Sequence, residues 1–168
     1  MILASKGKLS VAQGLTAADE ISENVIQMIA ADYAGLTDLW WVVDTNVIAT
    51  GDGADTFKFA LVISTSDALT TNQEVCSVNI TGYADLRLAT AGRHIAALNV
   101  GKMLKEIMET SGDTYYFVGM ENTLSDGSTI SIDASLSPTE PQTLHHKMVT
   151  VSNVALPLAA SDDAGEVV

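Results

Sequence analysis

Phe57-Lys58-Phe59-Ala60-Leu61-Val62-Ile63-Ser64 alternates large apolar residues with a mixed set, close behind the apolar run Leu39-Trp40-Trp41-Val42-Val43. Phe57, Phe59, Leu61 and Ile63 share one parity; Lys58, Ala60, Val62 and Ser64 share the other. A period of two places the first set on one face of an extended chain, so the stretch predicts a strand with Leu61 on its core side. Val62 falls on the opposite face, where Val62→Thr costs little if water reaches it. The Leu39–Val43 run is too short for a globular helix and rich in aromatic and β-branched residues, so it predicts a strand with little exposure. Between them lies Gly51-Asp52-Gly53-Ala54-Asp55, whose residues tolerate positive φ. The two strands are therefore expected to pair as an antiparallel hairpin.

Further strands follow outward from this pair. Glu74–Ile80 and His94–Val100 alternate between the breaks Thr81-Gly82 and Thr90-Ala91-Gly92, and Thr114–Met120 is rich in aromatic residues. The cleanest alternation comes after the turn Ser125-Asp126-Gly127: Ile130, Ile132, Ala134 and Leu136 against Thr129, Ser131, Asp133 and Ser135. That pattern is what an antiparallel sheet with one wet face requires. Pro138 and Pro141 end it, and Lys147–Leu156 again has strand character. Lys102–Glu109 instead carries Met103, Leu104, Ile107 and Met108 as a helical stripe, with Lys105 and Glu109 four residues apart. Residues 16–31 fit either a helix or a short strand, and residues 1–14 show no strong periodicity and read as an extended arm. Seven or eight strand segments with one helix give an all-β fold, an antiparallel jelly roll or β-sandwich with a short helical insert.

A chain of 168 residues suits one domain. Charged residues are 17%, below the usual quarter, and mean hydropathy is positive, so a homo-oligomer is expected, a dimer or alternatively a trimer. A net charge of −13 with only 8 Lys and Arg opposes nucleic-acid binding. No apolar stretch reaches the length of a membrane span, and the start Met1-Ile2-Leu3-Ala4-Ser5-Lys6 lacks the pattern of a signal peptide. Synthesis in a cytoplasm is expected.

Chemistry-bearing motifs are not seen. Neither a phosphate-binding glycine loop nor a Gly-x-Ser-x-Gly or His-Glu-x-x-His pattern occurs. His94 stands alone, and His145-His146 point to opposite faces if extended, a poor chelate. Asp52 and Asp55 lack calcium-loop spacing and read as turn residues. The single cysteine, Cys76, shares a face with Val78 and Ile80 and reads as a small hydrophobe. Of Trp40-Trp41, one belongs to the core and the other to an interface. No catalytic residue, metal ligand or cofactor is expected.

Several blocks carry a family likeness: Met1-Ile2-Leu3, then Val11-Ala12-Gln13-Gly14-Leu15-Thr16-Ala17 followed by Ser22-Glu23-Asn24-Val25-Ile26. With them go the strands Leu39–Asp44 and Phe57–Thr65, the polar turn Ser64-Thr65-Ser66-Asp67, and Arg93–Val100 leading to Thr114–Glu121. Their order resembles the capsid cement (decoration) proteins of short-tailed bacteriophages, the family first defined in a Bordetella podophage. The resemblance covers roughly residues 1–136 as one cement domain and leaves 137–168 as an extension with an acidic, flexible end. It implies a jelly roll, extended chain over 16–31, a homo-oligomer, and a place on the capsid exterior. Its partner there is the major capsid protein, with no enzymatic role. Capsid or subunit contacts are expected from Ile2, Leu3, Lys6 and Lys8 of the arm, from Trp41, and from Leu156 and Leu158. The helical insert and the extension depart from the family pattern. A carbohydrate-binding or adhesin jelly roll of a virion is the alternative.

Overall fold

The alternating segments become strands at nearly the bounds that their periodicity sets. A computed structural model of the chain describes residues 7–16, 20–29, 36–113 and 115–141. Within them lie β1 (Lys8–Leu15), β2 (Glu20–Ile21), β3 (Ile26–Ile29), β4 (Trp40–Thr50) and β5 (Thr56–Ser64). There follow β6 (Asn72–Thr81), β7 (His94–Asn99), the helix α1 (Gly101–Ser111), β8 (Tyr115–Leu124) and β9 (Thr129–Ser137). The expected strand Lys147–Leu156 and the acidic end Ser161–Val168 lie outside the described residues.

All strand pairs are antiparallel. The first sheet has the order β1-β9-β4-β7 and the second β2-β8-β5-β6, with β3 also on β8. Glu20 faces Asn122 and Ile29 faces Tyr115, so β2 and β3 follow one another along the same side of β8 as a single interrupted strand. Counted so, two four-stranded sheets result. Among the described strands only β5 and β6 are consecutive neighbours; every other connection crosses from one sheet to the other. This is the double Greek key of a jelly roll.

The hairpin expected between β4 and β5 does not form. β4 belongs to the first sheet and β5 to the second, and their apolar faces meet across the sandwich instead of side by side. Trp41 and Val43 pack in the same core as Phe57, Phe59, Leu61 and Ile63. The segment Gly51–Asp55 carries the chain between layers. Its carboxylates brace the turn: the Ala54 N–H donates to Asp52 Oδ1 at 2.8 Å, and Asp55 Oδ2 accepts from the Asp52 N–H at 2.7 Å and from Ser128 Oγ at 2.8 Å. Turn residues mark a chain reversal, and a reversal between sheets asks for the same residue types as a hairpin.

From Phe59 to Ser64 both faces of β5 are dry, which corrects the expectation that Val62 meets water. Val62 is only 1% exposed. The β5–β6 connection folds back over the outer side of the second sheet, and Leu69 closes on Ala60 and Val62 with Val25 and Phe117 at the rim. Gly119 lies beneath it. A Cβ there would stand 2.5 Å from Leu69 Cδ1 and 3.1 Å from Val25 Cγ1, so only hydrogen fits while Leu69 keeps its seat.

Part of the aperiodic arm is strand β1. Its register shifts between Lys8 and Ser10 and again between Ser10 and Gln13, and Ala12 has a φ of 53°. Two bulges erase the period of two that would have revealed it. Residues 1–6 lie outside the described residues. Over 20–29 the chain is extended, with Ile26 and Met28 buried and Gln27 and Ile29 exposed, so within these residues the strand reading holds. The helix α1 buries Leu104 and Met108 and stops where Gly112 turns left-handed at φ 75°. The Tyr116 hydroxyl donates to the Met108 carbonyl at 2.9 Å and ties this end to β8.

Candidate interaction surface

The two long sides of the sandwich are built differently. On the side formed by β1 and β2–β3, side chains stitch the sheets together. The Val11 N–H donates to Glu23 Oε2 at 2.9 Å, the Thr16 N–H to Glu20 Oε1 at 2.7 Å, and Gln13 Nε2 to the Ile21 carbonyl at 2.8 Å. The Asn24 N–H reaches the Leu9 carbonyl at 2.9 Å. Glutamates thus cap backbone donors that would otherwise line an open edge.

On the opposite side β6 ends its sheet. Its ten residues, Asn-Gln-Glu-Val-Cys-Ser-Val-Asn-Ile-Thr, hold no proline and no cation. Their single charge, Glu74, is paired at 2.7 Å with Lys58 on β5 and accepts from Ser77 Oγ at 2.9 Å. The Lys58 ammonium, then Ser77, holds this carboxyl below the usual range. Val75, Cys76, Val78 and Ile107 are half-buried at the margin of the core along this side. Burial, with Glu74 adding to it, pushes the Cys76 thiol up to about 11. Such a thiol stays protonated and acts as packing.

Exposed large apolar side chains gather at a few further places. Val47 and Ile48 turn outward together, 57% and 49% exposed, because β4 shifts register between Thr45 and Thr50. The connection after β6 runs beside them: the Ala49 N–H donates to the Leu88 carbonyl and the Thr45 N–H to the Arg93 carbonyl, both at 3.0 Å. That connection exposes Tyr83 and Leu86 while burying Leu88. Arg87 grips Asp85 through two bonds of 2.9 Å, which holds the Asp85 carboxyl down to about 2. Leu98 on β7 and Met103 on α1 are exposed near the joint of strand and helix.

His94, Asp44 and Asp133 are held by neighbours within the first sheet. His94 Nδ1 meets Asp44 Oδ1 on the outer face of the first sheet. Asp133 lies opposite Asp44 and accepts the Ala12 N–H at 2.8 Å, bracing the bulge of β1. Among the described residues no three His, Cys, Asp or Glu side chains converge as a metal site would need. A cleft of about 210 Å³ between α1 and the β5–β6 connection is lined by Ile63, Ser64, Asn72, Gln73, Ile107 and Tyr116. Several of its polar groups are already engaged: Ser64 Oγ with the Thr71 carbonyl, Asn72 Nδ2 with the Leu69 carbonyl, and Tyr116 with Met108.

Of the contact residues expected from the sequence, Ile2, Leu3, Lys6, Leu156 and Leu158 lie outside the described residues, as do His145 and His146. Lys8 is exposed at the start of β1. Trp41 is wholly buried and is therefore not a surface contact. It shares its parity with Leu39 and Val43, which face the core; Trp40 is the half-exposed tryptophan. Lys8 pairs with Ser135 and Trp40 with Ser137, two residues along the same face of β9, so Lys8 and Trp40 share the outer face of the first sheet. The β6 edge, which no described strand covers, was not anticipated from the sequence, although the absence of proline and lysine over residues 72–81 was its visible sign. No protein-family model matches the chain, and no curated protein matches it.

Proposed function

We propose that this chain is a non-catalytic structural protein of a phage virion, binding the outside of the capsid as a cement protein and bridging neighbouring major capsid protein subunits. The sequence likeness of the amino-terminal block motivates the reading. The observation that carries it is the chemistry of the exposed apolar surface. Of the nine large apolar side chains most exposed among the described residues, eight are Val, Ile, Leu or Met, and one, Tyr83, is aromatic. Sugar sites use stacked aromatic rings, whereas aliphatic patches on a rigid sandwich suit a protein partner. Lys8 and Trp40 share the outer face of the first sheet, so the one expected contact residue among the described residues that is exposed, Lys8, stands on the same face as the half-exposed tryptophan.

The test mixes full-length protein with intact particles of the encoding phage from which it has been stripped, and measures co-sedimentation and resistance of the particles to heat. Bound protein and more heat-resistant particles are expected, with lower occupancy for a chain lacking residues 1–6. Protein that stays in the supernatant, or that is retained on immobilised glycans and not on particles, overturns the reading.

A further inference from the structure

We propose that β6 is a self-pairing edge: its outer side joins the same strand of a second copy, antiparallel about a two-fold axis, and fuses two second sheets into one. Among the described strands it is the long edge that lacks protection. β1 carries two register shifts and glutamate-capped donors, β2–β3 is interrupted, and β7 has six residues. β6 has ten, and its one bulge, at Val75, leaves Cys76–Thr81 in regular register with β5. Regular, charge-poor edges without proline or lysine are templates for another strand.

The occupant follows from charge. Each copy carries −13, so two copies repel one another over most of their surface. The β6 strip is an exception, because its only carboxylate is neutralised by Lys58. Within β6 itself a basic partner strand would find no free carboxylate; Glu106 of α1 stands only beside its start, near Gln73. In a two-fold pairing centred within Cys76–Val78, each Glu74 lies opposite residues 78 to 82 of the other copy and never opposite the other Glu74. Val75, Val78 and Ile107, half-buried now, are then shared between two margins. Such an isologous contact consumes both edges and stops at two copies. The inference does not depend on the virion reading.

The full chain is followed by sedimentation velocity from about 1 to 100 µM, since association is read from concentration dependence, together with hydrogen exchange over residues 72–81. A dimer is expected, with β6 amides exchanging more slowly as concentration rises. Ser77→Lys sets a cation beside the axis in each copy and raises the dissociation constant about fivefold, because like charges face each other across the new pair. Val11→Lys, on the stitched side, leaves it unchanged. A monomer throughout overturns the proposal, as does β6 protection that ignores concentration, the mark of coverage by the chain itself. So does a Ser77→Lys dimer as tight as the parent, or a loss of equal size from Val11→Lys.

Discussion

From Phe59 to Ser64 the two faces of β5 are both dry, but they are kept dry by different means. On the inner face Phe57, Phe59, Leu61 and Ile63 meet strands of the opposite sheet and the helix in one continuous core. On the outer face Ala60 and Val62 are covered by one side chain, Leu69, seated over the bare backbone of Gly119. The inner face is backed by many large neighbours, so the loss of any small part leaves the rest in place. The outer face rests on a connection of seven residues and on a missing side chain. Alternation assigns side chains to faces; whether a face meets water is decided by what else in the chain folds over it.

Four substitutions would break or sharpen that contrast. Leu61→Asp puts an unpaired carboxylate into the inner core at a cost of several kcal/mol, comparable to the whole stability of a domain. No cooperative melting is expected, and a variant that melts like the parent would show the inner face to be misassigned. Leu69→Ala removes the cover of the outer face and should lower unfolding free energy by roughly 2–3 kcal/mol, as buried Leu→Ala changes do. The chain stays folded, and urea titration gives the value; a loss below about 0.5 kcal/mol, the size of an ordinary surface change, would mean that the outer cluster holds nothing. Val62→Thr buries a hydroxyl under Leu69 and should cost about 1–2 kcal/mol, measured in the same way. A neutral result would show that water enters beneath the connection.

The smallest effect belongs to Glu74→Gln, which breaks the pair with Lys58 on the open margin of the same sheet. Both groups are more than a third exposed, so solvent screening limits the loss to below about 1 kcal/mol at neutral pH. The sign follows from linkage. The folded carboxyl sits below its ordinary value of 4.5, so the pair stabilises fully above that value and is lost as the pH falls beneath it. Parent and variant should therefore converge in acid. A gap that persists there would assign the effect to packing.

Much of this architecture was legible in the residues, and the failures share a cause. β9 and β5 could be read because an uninterrupted period of two keeps one face apolar. The helix could be read because its stripe and Gly112 agree. β1 was hidden by bulges, which shift parity in mid-strand. The hairpin between β4 and β5 was misread because turn residues report a reversal and not the partner that follows it. Trp41 carried its own correction: Leu39, Trp41 and Val43 share a parity, and two core neighbours of that parity send the tryptophan inward. The surface was less legible than the core. Exposure of Val47 and Ile48 depends on a register shift that no local pattern announces.

The crossing connections also set the order in which the sandwich can be completed. β9 lies between β1 and β4, and β8 separates β2–β3 from β5, so the two latest described strands are the central members of both sheets. Until they leave the ribosome, β1 has no partner within its own sheet, and among the described strands only the β5–β6 hairpin can form from local pairing. Topologies closed by such distant partners fold slowly, in milliseconds to seconds, and a growing chain emerges at roughly 5–20 residues per second. For several seconds, then, a nascent chain holds strands whose partners have not yet been made. The surplus of negative charge gives that interval a safeguard, because unfinished copies on neighbouring ribosomes repel one another before their edges can meet.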